Sequence, residues 1–131
     1  QELRGYNVNA VTDVTGFGLL GHLKEMCENS DVSSKINFQD LLFLDGAKEL
    51  AMSGVIPGGT KRNLKSVEKV VSFNDHLSEI EQLLSADAQT SGGLLVSMPL
   101  EDARSYVKKV NGQTAIIGQI TDKKPYLIKV Y

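Results

Sequence analysis

The stretch that decides the local architecture spans residues 12–27 and reads TDVTGFGLLGHLKEMC. From residue 17 onward its apolar residues recur at helical spacing, with charged residues on the other side, which predicts an amphipathic helix over 17–27. Ahead of it, residues 9–14 mix β-branched and polar types, which predicts an extended segment. Thr15 stands where an N-cap hydroxyl would accept the first unpaired backbone N–H groups. A strand is therefore predicted to lead into a helix start.

The rest of the chain predicts further alternation of strands and helices. Strands are predicted at 35–38, 94–96, 114–121 and 126–130, helices at 45–53, 75–84 and 100–110, and a tight loop at 56–63. The last two strands flank a hairpin-like polar turn at 122–125, which favours antiparallel or mixed pairing over an all-parallel sheet. Because no repeat or Pro/Ser-rich linker divides the chain, residues 1–131 are predicted to form one α+β domain, a mixed sheet with packed helices.

Composition narrows the class of protein. Hydrophobic residues make up 41% and charged residues 23% of 131 residues, as in a soluble globular domain. A net charge of -2 with scattered Lys and Arg argues against nucleic-acid binding, and apolar runs far shorter than about 20 residues argue against a membrane span. The single cysteine, Cys27, excludes an internal disulfide and agrees with a reducing cytosol, so a cytoplasmic location is predicted.

The segment around Asp13 has two chemical interpretations. A glycine-broken helix start offers N–H groups to a phosphate, and an exposed carboxylate beside it can hold Mg²⁺, which prefers oxygen ligands. Alternatively, Asp13 and Thr15 only cap the helix, while the glycines allow close packing. From the residues alone, the cap is the commoner use.

Residues 16–21 read GFGLLG and also match the dinucleotide-binding pattern GxGxxG, with Asp40 about where a ribose-binding acid would stand. The match is only formal. Residues 9–15 are too polar for the buried parallel strand that such a unit requires, and no regular βαβ series follows.

Two further loops carry polar and glycine residues. Residues 87–93 read DAQTSGG before a strand predicted to be buried, so they could form an anion-binding nest or an ordinary turn. Residues 56–63 read IPGGTKRN, with Lys61 and Arg62 expected to be solvated.

Other reactive side chains lack a functional arrangement in the sequence. His22, predicted near the polar side of its helix, and His76, predicted at the start of another, have no partner at metal-ligand spacing. Cys27 lies on the apolar stripe, where a thiol stays protonated. No phosphate-loop or Ser/His/Asp motif is present, so the chemistry is incomplete within this chain.

Four segments taken in order resemble the C-terminal domain of selenophosphate synthetases (selenide, water dikinases). They are TDVTGFGLLGHLKEMC (12–27), IPGGTKRN (56–63), DAQTSGGLL (87–95) and AIIGQI (115–120). The resemblance spans nearly the whole chain.

The resemblance implies part of an enzyme that makes selenophosphate from selenide, ATP and water and releases AMP and phosphate. It implies Mg²⁺ as cofactor, a homodimeric full-length enzyme, and a fold like the AIR synthase C-terminal domain, partly ferredoxin-like. ATP and selenide would bind through an N-terminal ATP-binding domain that is absent here and holds the catalytic residues. The isolated domain is therefore expected to be inactive.

Carried over by position, the resemblance makes Asp13 the one Mg²⁺ ligand from this domain and places no catalytic residue in it. The residues that it places along the nucleotide cleft are Thr12, Thr15, Gly16, Gln89, Thr90, Ser91, Gly92 and Gly93. Ala88 departs from the family pattern, because many relatives have Pro there, and this loosens the loop slightly.

Two alternatives remain. The chain could belong to another enzyme of the AIR synthase superfamily, or it could be a non-catalytic binding or interaction domain. Its start at Gln1, without an initiating Met, is expected of a fragment, natural or engineered.

Overall fold

The computed structural model of the chain describes residues 3–88, 93–110 and 112–131. Along these residues the elements follow in the order β1 (Ala10–Asp13), α1 (Gly18–Ser30), β2 (Ser33–Ile36), α2 (Ala47–Met52), α3 (Gly58–Val67), β3 (Val71–Phe73), α4 (Glu79–Ser85), β4 (Leu94–Ser97), α5 (Leu100–Lys109), β5 (Gly118–Thr121) and β6 (Ile128–Val130). A short 3-10 turn, Phe38–Asp40, follows β2.

The strands form two sheets in the described part of the chain. The larger has the order β3-β6-β2-β5, with β3, β6 and β2 parallel and β5 antiparallel to β2. The smaller pairs β1 with β4 antiparallel, so that Asp13 lies opposite Leu94. The predicted α+β class with a mixed sheet is confirmed.

The main core lies between the larger sheet and α1. Leu20 and Cys27 of α1 are 0% exposed, as are Ile128 and Val130 of β6. Burial of each such aliphatic side chain stabilises the fold by about 1.5–3 kcal/mol. The apolar stripe read from residues 17–27 therefore holds the helix against the sheet.

The predicted hairpin between the last two strands is wrong. β5 and β6 both pair with β2, one on each side, so the chain crosses β2 between them. Buried Ser33 fixes this crossing: its hydroxyl donates to the Tyr126 carbonyl at 2.7 Å and accepts from the Lys124 amide at 2.8 Å. The sequence of the polar turn does not indicate that β2 lies between β5 and β6.

Helix starts also differ from the sequence expectations. The helix predicted from residue 75 begins at Glu79, because Ser78 and Glu81 form a reciprocal capping box, and His76 lies in the preceding turn. The loop predicted at 56–63 is only partly a loop, because α3 begins at Gly58. Pro57 is the N-cap of this helix and has an extended conformation.

The smaller sheet is thinly covered. β4 exists as predicted but is not buried, since Leu94 is 58% exposed, and α5 contributes no buried residue. Asn7 donates to the Asp102 carboxylate, and Tyr6 packs edge-to-face on Tyr106. In the described residues, no helix has the length and apolarity needed to cross a membrane.

Candidate functional site

The candidate site begins where β1 ends and α1 starts. Asp13 is the last residue of β1 and its side chain is exposed. Directly after it, the Val14 amide donates to the Gly93 carbonyl at 2.9 Å, which fastens the loop to the residue preceding β4. Because successive side chains of a strand point to opposite faces, Thr12 lies on the other face, where it lines a cleft of about 220 Å³ beside His22.

Neither Asp13 nor Thr15 caps α1, so the capping interpretation is wrong for both. The N-cap is Phe17, in a helical conformation and without a side-chain cap bond. The Thr15 hydroxyl instead forms a hydrogen bond of 3.0 Å with Nε2 of His22, which is buried rather than on the polar side. Nδ1 of that imidazole lies 4.0 Å from the Glu25 carboxylate. The buried His22 therefore holds the loop between β1 and α1 through its hydrogen bond with Thr15.

Gly18 brings the start of α1 against Ala86 and Asp87, where the motif 87–93 begins. Its φ of +71° is one that side-chain-bearing residues rarely adopt, and a Cβ there would lie 2.7 Å from the carbonyl oxygens of Ala86 and Asp87. No rotamer change could relieve a contact with backbone atoms. The first and third motifs therefore meet at this glycine.

The second motif supports the third through Thr60. This buried hydroxyl donates to Oδ1 of Asp87 at 2.6 Å, and it accepts from the Ala88 amide at 3.4 Å. The predicted cleft residues Gln89, Thr90, Ser91 and Gly92 lie outside the described residues, whereas Gly93 is described and exposed.

Asn63 connects both loops. Its side-chain amide donates to the Gly16 carbonyl at 2.8 Å and to the Ala86 carbonyl at 3.1 Å. Sequence reasoning missed Thr60, Asn63 and Asp87 as members of the site. The available signal was that all three stand inside the motifs 56–63 and 87–93, but the sequence did not show that those motifs meet.

The metal-binding capacity of the described residues is limited. No group of three or more His, Cys, Asp or Glu side chains among them could hold a metal ion. Asp13 still fits one position of a magnesium site, because Mg²⁺ takes one or two carboxylates together with phosphate oxygens and waters. The remaining ligands of such a site would be phosphate oxygens, waters or carboxylates from another part of the protein.

The remaining titratable candidates have structural environments. Cys27 is buried, and burial raises the pKa of its thiol above the usual value, so the protonated form is favoured. His76 is exposed and its Nδ1 lies 2.6 Å from the Asn74 side-chain oxygen. Lys61 and Arg62 are exposed on α3, as the sequence predicted.

Comparison with known proteins gives consistent results. The family described as "AIR synthase related protein, C-terminal domain" matches residues 1–130. The chain is 43% identical to the selenide, water dikinase of Aliarcobacter butzleri over 90% of its own length and 35% of that protein. It is 43% identical to selenide, water dikinase 2 of Peptoclostridium acidaminophilum over 95% of its length and 37% of that protein. The Myxococcus xanthus selenide, water dikinase is 42% identical over 92% of the chain and 35% of that protein.

The chain thus spans about a third of the length of the curated relatives it matches. These matches confirm the resemblance that the ordered motifs predicted.

Proposed function

The chain belongs to the AIR synthase related family, whose C-terminal domain it matches, and from this premise we propose that it is the C-terminal part of a selenophosphate-forming enzyme. The whole enzyme would convert selenide, ATP and water to selenophosphate, AMP and phosphate. The names of the relatives support this reaction. The observation that carries the proposal is that the three polar glycine motifs converge around Asn63, beside the exposed Asp13.

In this proposal Asp13 supplies one carboxylate ligand to Mg²⁺. Bound Mg²⁺ would neutralise phosphate charge during transfer. Asp13 suits the role because it is exposed and ends a strand whose pairing with β4 fixes its backbone. Among the described residues Asp13 belongs to no group of three or more His, Cys, Asp or Glu side chains that could hold a metal ion. The other ligands would come from the remaining two thirds of an enzyme of the relatives' length.

The loops beside Asp13 would close over the nucleotide. Thr15, Gly16 and Gly93 lie at exposed positions around the ends of β1 and β4, and residues 89–92 continue the same motif. Thr12, on the opposite face of β1, would contribute through the backbone rather than through its hydroxyl. No residue of this chain is assigned a bond-making step.

The partners follow from the same proposal. ATP and selenide would bind with an N-terminal domain that holds the catalytic residues, in a cytoplasmic homodimer. This chain alone would then neither hydrolyse ATP nor bind it tightly. Calorimetry that showed tight binding of Mg-ATP to residues 1–131 would contradict this division of labour.

The substitution Asp13→Asn tests the metal-ligand role in the whole protein that carries this chain. We expect selenide-dependent AMP release to fall roughly 100-fold, because a preorganised charge at the phosphate is lost. Thermal unfolding should change little, since Asp13 is exposed. The matched control is Asp122→Asn, which removes one exposed carboxylate that follows β5 of the larger sheet and should keep full activity. Near-normal turnover of Asp13→Asn at low Mg²⁺ would refute the assignment.

A further inference from the structure

Asn63 stands at a position where one side chain bonds to two separate loops. Its amide nitrogen donates to Gly16 in the loop after β1 and to Ala86 at the end of α4. Both partners are carbonyl oxygens, so only the nitrogen end of the amide can satisfy them. The two N–H groups of Asn63 are thus used on two segments that are 70 residues apart in sequence (86 − 16).

Two further contacts bring the same segments close together. Gly18 leaves no room for a Cβ beneath the Ala86 and Asp87 carbonyls. One turn before Asn63 on α3, Thr60 bonds Asp87. Because residues three apart share a helix face, α3 presents both polar side chains to the same place.

We propose that Asn63 is a positioning residue for phosphoryl transfer, acting through the two loops that it joins. It fixes the loop that follows Asp13 relative to the segment that begins at Asp87, and so sets where the Asp13 carboxylate meets a metal-bound phosphate. This inference rests on the proposed function. It adds a residue on α3, acting through its bonds to Gly16 and Ala86, to the parts on which the reaction depends.

The test is Asn63→Asp in the whole protein that carries this chain. The change keeps the side-chain shape, removes both donors and places carboxylate oxygens against two carbonyl oxygens. We expect kcat to fall at least tenfold and the Mg²⁺ concentration for half-maximal rate to rise about tenfold. Asn29→Asp is the matched control, because it makes the same charge change at an exposed position of α1 and should leave both values unchanged.

The Mg²⁺ dependence separates positioning from a merely structural role. A variant that loses activity and thermal stability while keeping the wild-type Mg²⁺ dependence would overturn the proposal. So would a variant with wild-type kinetics. Asn63→Gln keeps the donors on a longer side chain and should recover part of the lost rate.

A second readout does not depend on the reaction. Hydrogen exchange of peptides covering residues 14–18 and 86–88 should be at least tenfold faster in Asn63→Asp, with β2 and β6 unchanged. If the wild-type protein formed no selenophosphate, the proposed function would fail on its own. Faster exchange at both loops would then still support the coupling through Asn63, and acceleration at one loop or neither would refute it.

Discussion

Two regions of the molecule differ in how well their side chains are buried. The first region is the larger sheet with α1, and the second region is the smaller sheet with α5. In the first region Leu20, Ile128 and Val130 are completely buried. In the second, α5 has no buried residue and Leu94 is 58% exposed. The contacts of α5 in the second region include the hydrogen bonds of Asn7 to Asp102 and the ring contact of Tyr6 with Tyr106.

The candidate site lies on the border between these regions. Asp13 is the last residue of β1 in the smaller sheet, and the loop after it leads into α1, which packs in the core. The loop itself is fixed by hydrogen bonds from Asn63 and His22 rather than by apolar burial. Substitutions in the first region should therefore change stability most, whereas substitutions in the loop should change function with small losses of stability.

The largest expected effect comes from Gly118→Ala in the larger sheet. A Cβ at this position would overlap the Lys35 carbonyl oxygen of the paired strand, and backbone overlap cannot be relieved by a rotamer change. We expect the free energy of unfolding to fall by more than about 4 kcal/mol. Urea unfolding of this chain measures it.

The control for Gly118→Ala is Gly93→Ala at the edge of the thin sheet. A Cβ at Gly93 has nothing within 4 Å, so the change should stay within about 0.5 kcal/mol. Equal losses at the two glycines would break the contrast between the regions.

A pair of leucine truncations sharpens the same comparison. Leu20→Ala removes a side chain that is 0% exposed, whereas Leu94→Ala removes one that is 58% exposed. We expect about 3 kcal/mol of destabilisation for the first, from lost burial and a cavity, and less than about 1 kcal/mol for the second. The midpoint of urea unfolding gives both. A cost at Leu94 that matched the cost at Leu20 would mean that the smaller sheet is as well packed as the larger one.

Sequence patterns predicted the elements that depend on local periodicity. The α1 stripe, the strand before it and α5 appear close to where residues 9–27 and 100–110 placed them. The pairing of the final strands was not predictable, because it depends on β2 inserting between them. Periodicity describes one element at a time and carries no information about which strand lies beside it.

The candidate site was predictable only in pieces. Asp13 and the glycine loops stood out in the sequence, but Asn63 did not, since an amide next to two cations is typical of a solvated loop. Its role is visible only in the structure, where its side-chain nitrogen donates to the carbonyl groups of both Gly16 and Ala86. Ser78 and Glu81 are different, because the spacing S-x-x-E was a readable capping signal that the helix prediction at 75–84 overlooked.

The smallest expected effect on stability comes from the capping box formed by Ser78 and Glu81 at the surface. In the capping box the Ser78 amide donates to the Glu81 carboxylate at 3.1 Å, and this bond lowers the pKa of Glu81 below its ordinary value of 4.5. The folded state thus favours the ionised form, so the stabilisation is present above pH 4.5 and is lost as pH falls through the lowered pKa. Because Glu81 is well solvated, Glu81→Gln should cost only a few tenths of a kcal/mol at pH 7, and less at pH 3. Urea unfolding at both pH values measures this, with Glu79→Gln as the control for losing one charge in the same helical turn. A cost that stayed constant with pH would show that the charge of Glu81 does not stabilise this helix start.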